Sequence, residues 1–381
     1  MKCLERLILK HLLSQAGSFI DPFQFAYRQN RGVEDAVLVL LHGIYSHLDI
    51  PKSYVRCTFV DFSSAFNTIT PHLLINKLIK MEVDVKIVLW VHNFLTNRQQ
   101  SVRLGNIKSP TLVTNTGAPQ GCVLSPLLFS LYTSDCTSTS QCCSFIKYAD
   151  DTAITGFIKG GNSENEYFCQ VNQFVEWCDR HNLYLNVKKT KEIIIDFRRG
   201  DVNHTPLYIH EQAIEHVHEY KYLGTLIDDK LRFNKNINAV HSRANQRMFF
   251  LRKLKKFNVD RTILHLFYQS IIQSVLLFNL ICFYGNLTQA DKTKLERPRK
   301  IAQRIIGIEL PPLSVLFEDR LLTKITSIMK DPSHPLFSCF TFNRSGIRLR
   351  VPITRRARYR NSFIPNSMHI YNAKITRNSQ L

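Results

Sequence analysis

Two adjacent acids, Asp150 and Asp151, interrupt an otherwise apolar stretch, and the chain must place that interruption where the charge is compensated. The flanking segments 144–148 and 152–157 are short runs of β-favouring composition, so the expectation is a hairpin with an Asp-Asp tip. A third acid, Asp61, closes a second extended run, 54–62, which carries Val55, Cys57, Phe59 and Val60. Carboxylates are costly in apolar, β-rich surroundings, and at strand ends they are compensated by solvent, a basic partner or a divalent metal. As plain turn chemistry, an Asp-Asp pair would simply be solvated. Magnesium is the metal to test, because it accepts one or two protein carboxylates together with waters and substrate phosphates.

Residues 1–18 read as a helix through Leu4, Leu7, Ile8 and Leu12, and 32–47 as another through Val33, Ala36, Val37, Leu40 and Leu41. Thr70-Pro71 offers an N-cap and an N1 proline for a helix containing Leu73, Leu74, Lys77, Leu78 and Met81. The run 117–121, Gly-Ala-Pro-Gln-Gly, is a turn, and 126–132 starts a helix. Residues 174–181 look helical, 191–197 and 220–227 look like strands, and 234–310 are expected to be mainly helical. This alternation predicts a mixed core of α+β class. In the apolar stretch 263–285, His265, Gln269, Gln273 and Asn279 recur at about one helical turn, which favours a buried soluble helix over a membrane span.

Hydrophobic residues make up 44% of the 381, enough to bury a sizeable core. Fifty Lys and Arg against 30 Asp and Glu give a net charge of +20, the footprint of a chain that holds polyanions. Residues 341–381 contain nine Arg or Lys and no acid, which suggests a basic arm or small module on nucleic acid, with a solvated tail as the alternative. Ten cysteines show no C-x-x-C pair, and Cys142 and Cys143 are adjacent, so reduced thiols are expected rather than zinc or disulfides. The charged, helix-like amino terminus argues against secretion and for an intracellular location, cytoplasm and/or nucleus.

Along the chain, FVDFSSAF, TGAPQGCVLSPLLFSLY, KYADDTAI, LYLNVKKTKEIIIDF and YKYLGTLID follow one another. They resemble, in order, the palm and primer-grip motifs of LINE-type (non-LTR) retrotransposon reverse transcriptases, and DPFQFAYRQNRGVEDAV resembles the finger segment upstream of them. Mobile-intron maturases share the palm motifs, but the FSSAF and YKYLG wording favours the LINE type. The resemblance implies a right-hand polymerase architecture with partial fingers at 1–54, a palm with antiparallel sheet and helices at 55–215, a primer grip and helical thumb at 216–310, and a basic carboxyl-terminal segment at 311–381. It implies an RNA-directed DNA polymerase that works with two Mg²⁺ ions, Mn²⁺ being possible, on an RNA template, a DNA primer or target DNA, and deoxynucleoside triphosphates. No membrane partner is implied, and the oligomeric state is left open.

Carried over by position, Asp61, Asp150 and Asp151 would be metal ligands, with Asp151 less directly bound because neighbouring strand residues face opposite ways. Phe62, Ser64, Ala65, Phe66, Gln120 and Gly121 would form the nucleotide site, with the Phe62 backbone near the metal and Phe66 as the steric gate against a ribose 2′-hydroxyl. Lys189, next to Lys188, would protonate the departing pyrophosphate. Tyr222, Leu223 and Gly224 would grip the primer end, and Arg28 and Arg31 would contact template or phosphate. Lys253, Lys255, Lys256, Arg297, Arg299, Lys300 and Arg304 would line the thumb.

In the family a Tyr-Arg-Pro-type segment precedes the helix that MKCLERLILKHL resembles, so amino-terminal truncation is expected, with activity of the chain open. One rival reading is an inactive transposon relic that binds nucleic acid. A remoter one is an AlkB-type repair dioxygenase, because EYKYLGTLIDDKLRFNKN resembles a segment found ahead of such enzymes; the His47-Leu48-Asp49 pair, however, sits in a helical pattern.

Overall fold

The first segment forms α1 (Lys2–Ala16), but of its expected stripe only Leu12 is buried, with Glu5 and Ala16, while Leu4 and Leu7 face solvent. The computed structural model describes residues 2–200 and 203–378; Met1 and the end of the basic segment, 379–381, lie outside the described residues. In α2 (Val33–Leu48), Asp35 turns back to accept from the Gly32 N–H at 2.9 Å, which closes the helix start. Every residue of β1 (Tyr54–Val60) is buried, the pattern of a strand covered on both faces. Pro71 opens α3 (Pro71–Lys80) as predicted, but the Thr70 hydroxyl points to Thr68 O at 3.4 Å and caps nothing. In α4 (Val85–Leu95) the Asp84 carboxylate supplies the cap that Thr70 does not, accepting from Lys86 N at 2.7 Å.

Residues 98–114 form two small antiparallel ladders that the sequence did not announce. In one, β2 (Arg98–Gln100) pairs with β5 (Leu112–Thr114); in the other, β3 (Arg103–Leu104) pairs with β4 (Ile107–Lys108). Then follow α5 (Ser125–Tyr132), β6 (Cys143–Tyr148), β7 (Asp151–Ile158), α6 (Gly161–Arg180), β8 (Lys191–Ile195), β9 (Tyr208–Ile209), β10 (Gln212–Ala213) and β11 (Glu215–His216). The main sheet has the order β11-β8-β1-β7-β6, antiparallel between β6 and β7 and parallel between β11 and β8. A segment expected to be helical only over 174–181 is the much longer α6. Its polar first half hid the stripe of Tyr167, Gln170, Val171, Phe174, Val175 and Cys178 that it buries. Close contact fixes Gly156 on β7, where a Cβ would lie 2.4 Å from the Tyr167 ring.

The described chain divides into two compact units, the first comprising Met1–Arg31, Arg56–Glu192 and Gly200–His216. Its interior is tied by Arg56 on β1, which is fully buried. The guanidinium donates to both Glu192 oxygens at 2.9 and 2.7 Å, to Glu164 at 2.8 Å and to Thr205 O at 2.9 Å. Burial works against this charge, but the hydrogen bonds and charge of Glu192 outweigh it and raise the Arg56 pKa.

The second unit comprises Gly32–Val55, Ile193–Arg199 and Val217–Leu381. The run expected as one strand over 220–227 instead folds back into β12 (Glu219–Tyr222) and β13 (Thr225–Asp228). Helices α7 (Asn234–Lys256), α8 (Arg261–Phe267), α9 (Ser274–Leu277), α10 (Leu280–Phe283), α11 (Gln289–Ile306) and α12 (Leu313–Met329) follow, then α13 (Ala357–Arg360) and α14 (Phe363–Asn378). Residues Arg261–Asn286 are long and apolar enough to cross a membrane, and 56% of their most apolar window is buried. A π turn over Tyr268–Gln273 and a left-handed Asn279, φ 52°, break this stretch into short helices.

The basic carboxyl-terminal segment is not a solvated tail over its described length. Phe363, Ile364 and Met368 are buried, and α14 packs on α12 and α2. Backbone N–H groups of Arg355 and Arg356 donate to the Asp49 carboxylate at 2.8 and 2.7 Å. Below them, buried Asp35 receives Lys324 Nζ at 3.0 Å and faces His334 Nε2 at 3.2 Å. Arg299, expected on a surface, is buried as well: it donates to Glu296, Gln303 and Leu310 O, because its long stem reaches inward from α11 to satisfy the chain that follows.

Candidate active site

Register places the acids. Tyr148 pairs with Asp151, so the β6–β7 connection is only Ala149 and Asp150, and Asp151 already belongs to β7 rather than to the tip. Asp61 is the first residue after β1, and β1 lies beside β7 in the sheet. Asp151 is within electrostatic reach of both Asp150 and Asp61. The Asp151 pKa is raised, first by the protein mass that displaces water around it, then by the charges of Asp150 and Asp61. Asp61 Oδ2 is buried without a hydrogen-bond partner, and Lys189 Nζ stands 3.9 Å from it. A carboxylate oxygen left in that state is costly, and a cation between the acids would remove the cost. Among the described residues, no group of three or more Asp, Glu, His or Cys side chains is placed to hold a metal ion by itself, so waters and substrate oxygens would have to complete a cation site at these acids. An open, carboxylate-poor site suits a cation that keeps waters and takes oxygens from a substrate.

The Asp61 backbone is anchored on the loop that precedes β8. Asn186 N–H donates to Asp61 O at 2.8 Å, Asp61 N–H to Thr190 Oγ1 at 3.3 Å, and Ser63 N–H to Tyr184 O at 2.8 Å. Phe62 bridges to Leu185, and its ring lies 6.3 Å from that of Phe174, so its backbone rather than its ring stays at the site. This anchoring brings Lys189 to Asp61 while leaving the lysine side chain 71% exposed.

A second pair of motifs meets at Phe66. Ser64 is left-handed at φ 57° and starts a short 3-10 turn through buried Ala65. Ala118 N–H donates to Phe66 O at 2.8 Å and Gly117 N–H to Ile69 O at 2.7 Å. Only glycine fits at 117, where φ is +73° and a Cβ would lie 2.7 Å from Asn67 Cα. The Phe66 ring stacks on Phe129 with centroids 4.7 Å apart, and exposed Gln120 reaches Asn67 Oδ1 at 3.4 Å. Gly121, at φ +80°, has open space where a side chain would stand.

Arg28 donates to Asp21 O at 2.9 Å, and Arg31 is half-buried. Tyr27 was missed by sequence reasoning: it is exposed, left-handed at φ 61°, and its phenol pKa is raised by burial, then by Asp150 and Tyr148. Asp21, Gln24 and Lys147 were also missed, although a lysine inside the apolar run of β6 was a signal. Lys147 is buried, 2.7 Å from Asp21 Oδ2, and donates to Thr133 O and Cys136 O, each at 2.8 Å.

Residues 1–227 match the family described as reverse transcriptase (RNA-dependent DNA polymerase). The chain belongs to the reverse transcriptase family. Its relatives include the RNA-directed DNA polymerase from mobile element jockey of Drosophila funebris, 26% identical over 322 residues, 80% of this chain and 34% of that protein. Another is the probable RNA-directed DNA polymerase from transposon BS of Drosophila melanogaster, 29% identical over 266 residues, 66% of this chain and 29% of that protein. Within that family the chain is of the LINE type by ancestry, and it spans about a third of the length of the curated relatives it matches. Telomerase from Candida albicans, in complex with a fragment of telomeric RNA, aligns with 88% of this chain and 52% of its own at a TM-score of 0.42 and 12% identity.

In the second unit of the chain, the YKYLG motif forms a tight hairpin. Leu223 at φ 44° and Gly224 at φ 81° make the two-residue turn, with Tyr222 buried beneath it. A Cβ at Gly224 would lie 2.8 Å from the Phe278 ring, and Asn279 Nδ2 donates to Thr225 Oγ1 at 2.9 Å. Residues 233–274 also match the family described as alkylated DNA repair protein alkB homolog 8, N-terminal. That match starts farther along the chain than the resemblance read from the sequence, and from Asn234 it covers α7, α8 and the π turn, with no strand.

Proposed function

We propose that this chain is a polymerase core of fingers, palm and thumb that copies an RNA template into DNA from a DNA 3′ end. The carrying observation is the placement of Asp61, Asp150 and Asp151 at one end of the β1–β7 pair, with Asp61 Oδ2 buried, without a hydrogen bond and 3.9 Å from Lys189 Nζ. Asp61 and Asp150 would hold two Mg²⁺ ions, or Mn²⁺, with Asp151 contributing charge from the start of β7. Bound there, a pair of divalent ions supplies the charge that activates the primer hydroxyl and steadies the pyrophosphate.

The chain's own groups do the rest. Lys189 has an exposed ammonium beside Asp61 and donates a proton to the departing pyrophosphate. Phe66, held by Phe129, presents a fixed ring edge that rejects a ribose 2′-hydroxyl and so selects deoxynucleoside triphosphates. The Phe62 backbone and the Ser64–Ala65 turn shape the nucleotide pocket, while Gln120 offers its amide where Gly121 leaves room. The turn at Tyr222, Leu223 and Gly224 holds primer, and Arg28 and Arg31 contact the template backbone. The protein works inside the cell, in cytoplasm, nucleus or both.

The test is primer extension on an RNA template with the purified chain and its Asp150→Ala variant. Extension that the substitution abolishes supports the reading. Absence of product, or product indifferent to the substitution, would leave a nucleic-acid-binding relic in its place.

A further inference from the structure

The hairpin that carries Asp150 has a gap in its hydrogen bonding, and a side chain from a distant segment fills it. Residues 23–25 run beside the end of β6: Gln24 bridges Lys147 in parallel, Phe25 N–H donates to Lys147 O at 2.9 Å, and Lys147 N–H donates to Phe23 O at 2.9 Å. From there the Gln24 side chain, only 1% exposed, extends to the tip. Its Nε2 donates to Ala149 O at 3.2 Å, and its Oε1 accepts from Ala149 N–H at 3.0 Å and from Ala26 N–H at 3.1 Å. A primary amide carries one acceptor and two donors, so it pairs with Ala149 as a neighbouring strand residue would. Ala149 needs that support, because it holds a left-handed φ of 57° that alanine adopts at a cost. The ion pair between Asp21 and Lys147 fixes the same segment two residues back from the tip.

From this geometry we infer that Gln24 is a positioning residue: by clamping both polar groups of Ala149 it aims Asp150, and thereby sets the metal affinity of the site. The inference rests on the reading of Asp61 and Asp150 as metal ligands. Asparagine is one methylene too short to make both contacts, and methionine keeps the volume but neither hydrogen bond.

Mn²⁺ binding to the full chain, followed by electron paramagnetic resonance of the free ion, tests it in the wild type, Asp150→Ala, Gln24→Met and the Gln24→Met/Ala149→Gly pair. Thermal melting of each protein is recorded alongside. Gln24→Met is expected to weaken binding about tenfold, the lower range for partners that orient ligands. Adding Ala149→Gly, which removes the cost of the left-handed turn, should recover part of that loss. A destabilised but otherwise passive core would show no such rescue. Wild-type affinity in Gln24→Met while Asp150→Ala has lost it, or a double variant no better than the single, overturns the clamp. Unchanged affinity in Asp150→Ala instead sinks the metal-site reading beneath it. Where Gln24→Met does not fold, Gln24→Asn carries the same comparison with polarity retained.

Discussion

Asp151 carries its charge against opposition from its surroundings and from two neighbouring acids, and this has a consequence in the metal-free protein. A carboxyl whose folded pKa is raised favours the folded state only while protonated, so its contribution is present at low pH and lost as pH rises through that raised value. Asp151→Asn should therefore melt higher than the wild type at neutral pH without divalent ions, and the gap should close as the pH falls toward the ordinary carboxylate range. A gap that is constant with pH would contradict the mutual repulsion described. Arg56 is the opposite case, a buried charge whose partners are in place. Arg56→Leu strands Glu192, which is 2% exposed, and should cost about 3–5 kcal/mol in denaturant unfolding. Replacing Arg56 and Glu192 together by leucine should cost less than Arg56→Leu alone; an additive result would mean that the pair is not coupled.

At the level of elements, the carboxyl-terminal helix α14 yields a direct test. Phe363, Ile364 and Met368 are buried, each worth about 1.5–3 kcal/mol on burial, so deletion from residue 341 onward should sharply lower the melting temperature and the soluble yield. An unchanged melt would return the segment to the status of an appendage. This helix is masked in the sequence by the arginines at 344–360 that precede it, whose charge dominates the segment over the spacing of three apolar residues. The Asp150 hairpin and the strand before Asp61 were legible because β-favouring composition and turn chemistry are local. The ladders at 98–114 were not, because Arg98-Gln99-Gln100 has no apolar alternation and Val102, Leu104, Ile107 and Leu112 stay exposed. Gln24 and Lys147 could not be assigned from the sequence because their partners, Ala149 and Asp21, lie more than a hundred positions away along the chain. Local patterning thus revealed the acids, while the groups that aim them emerge only from tertiary pairing.

For the whole molecule, the net charge of +20 sets the terms of association. The helix α7 contains seven Lys or Arg and no acid, so contact with nucleic acid should release many counterions. Affinity for an RNA–DNA duplex is expected to fall roughly 10³-fold or more between about 50 and 200 mM salt, measured by fluorescence anisotropy. A shallow salt dependence would rule out backbone phosphates as the main contact. The two-residue join between β6 and β7 acts at this scale too. One extra residue within β6 would turn the side chains after it to the opposite face and shift Asp150 relative to Asp61. The exposed ladders at 98–114 leave slack for an added residue, whereas the two-residue join between β6 and β7 leaves none.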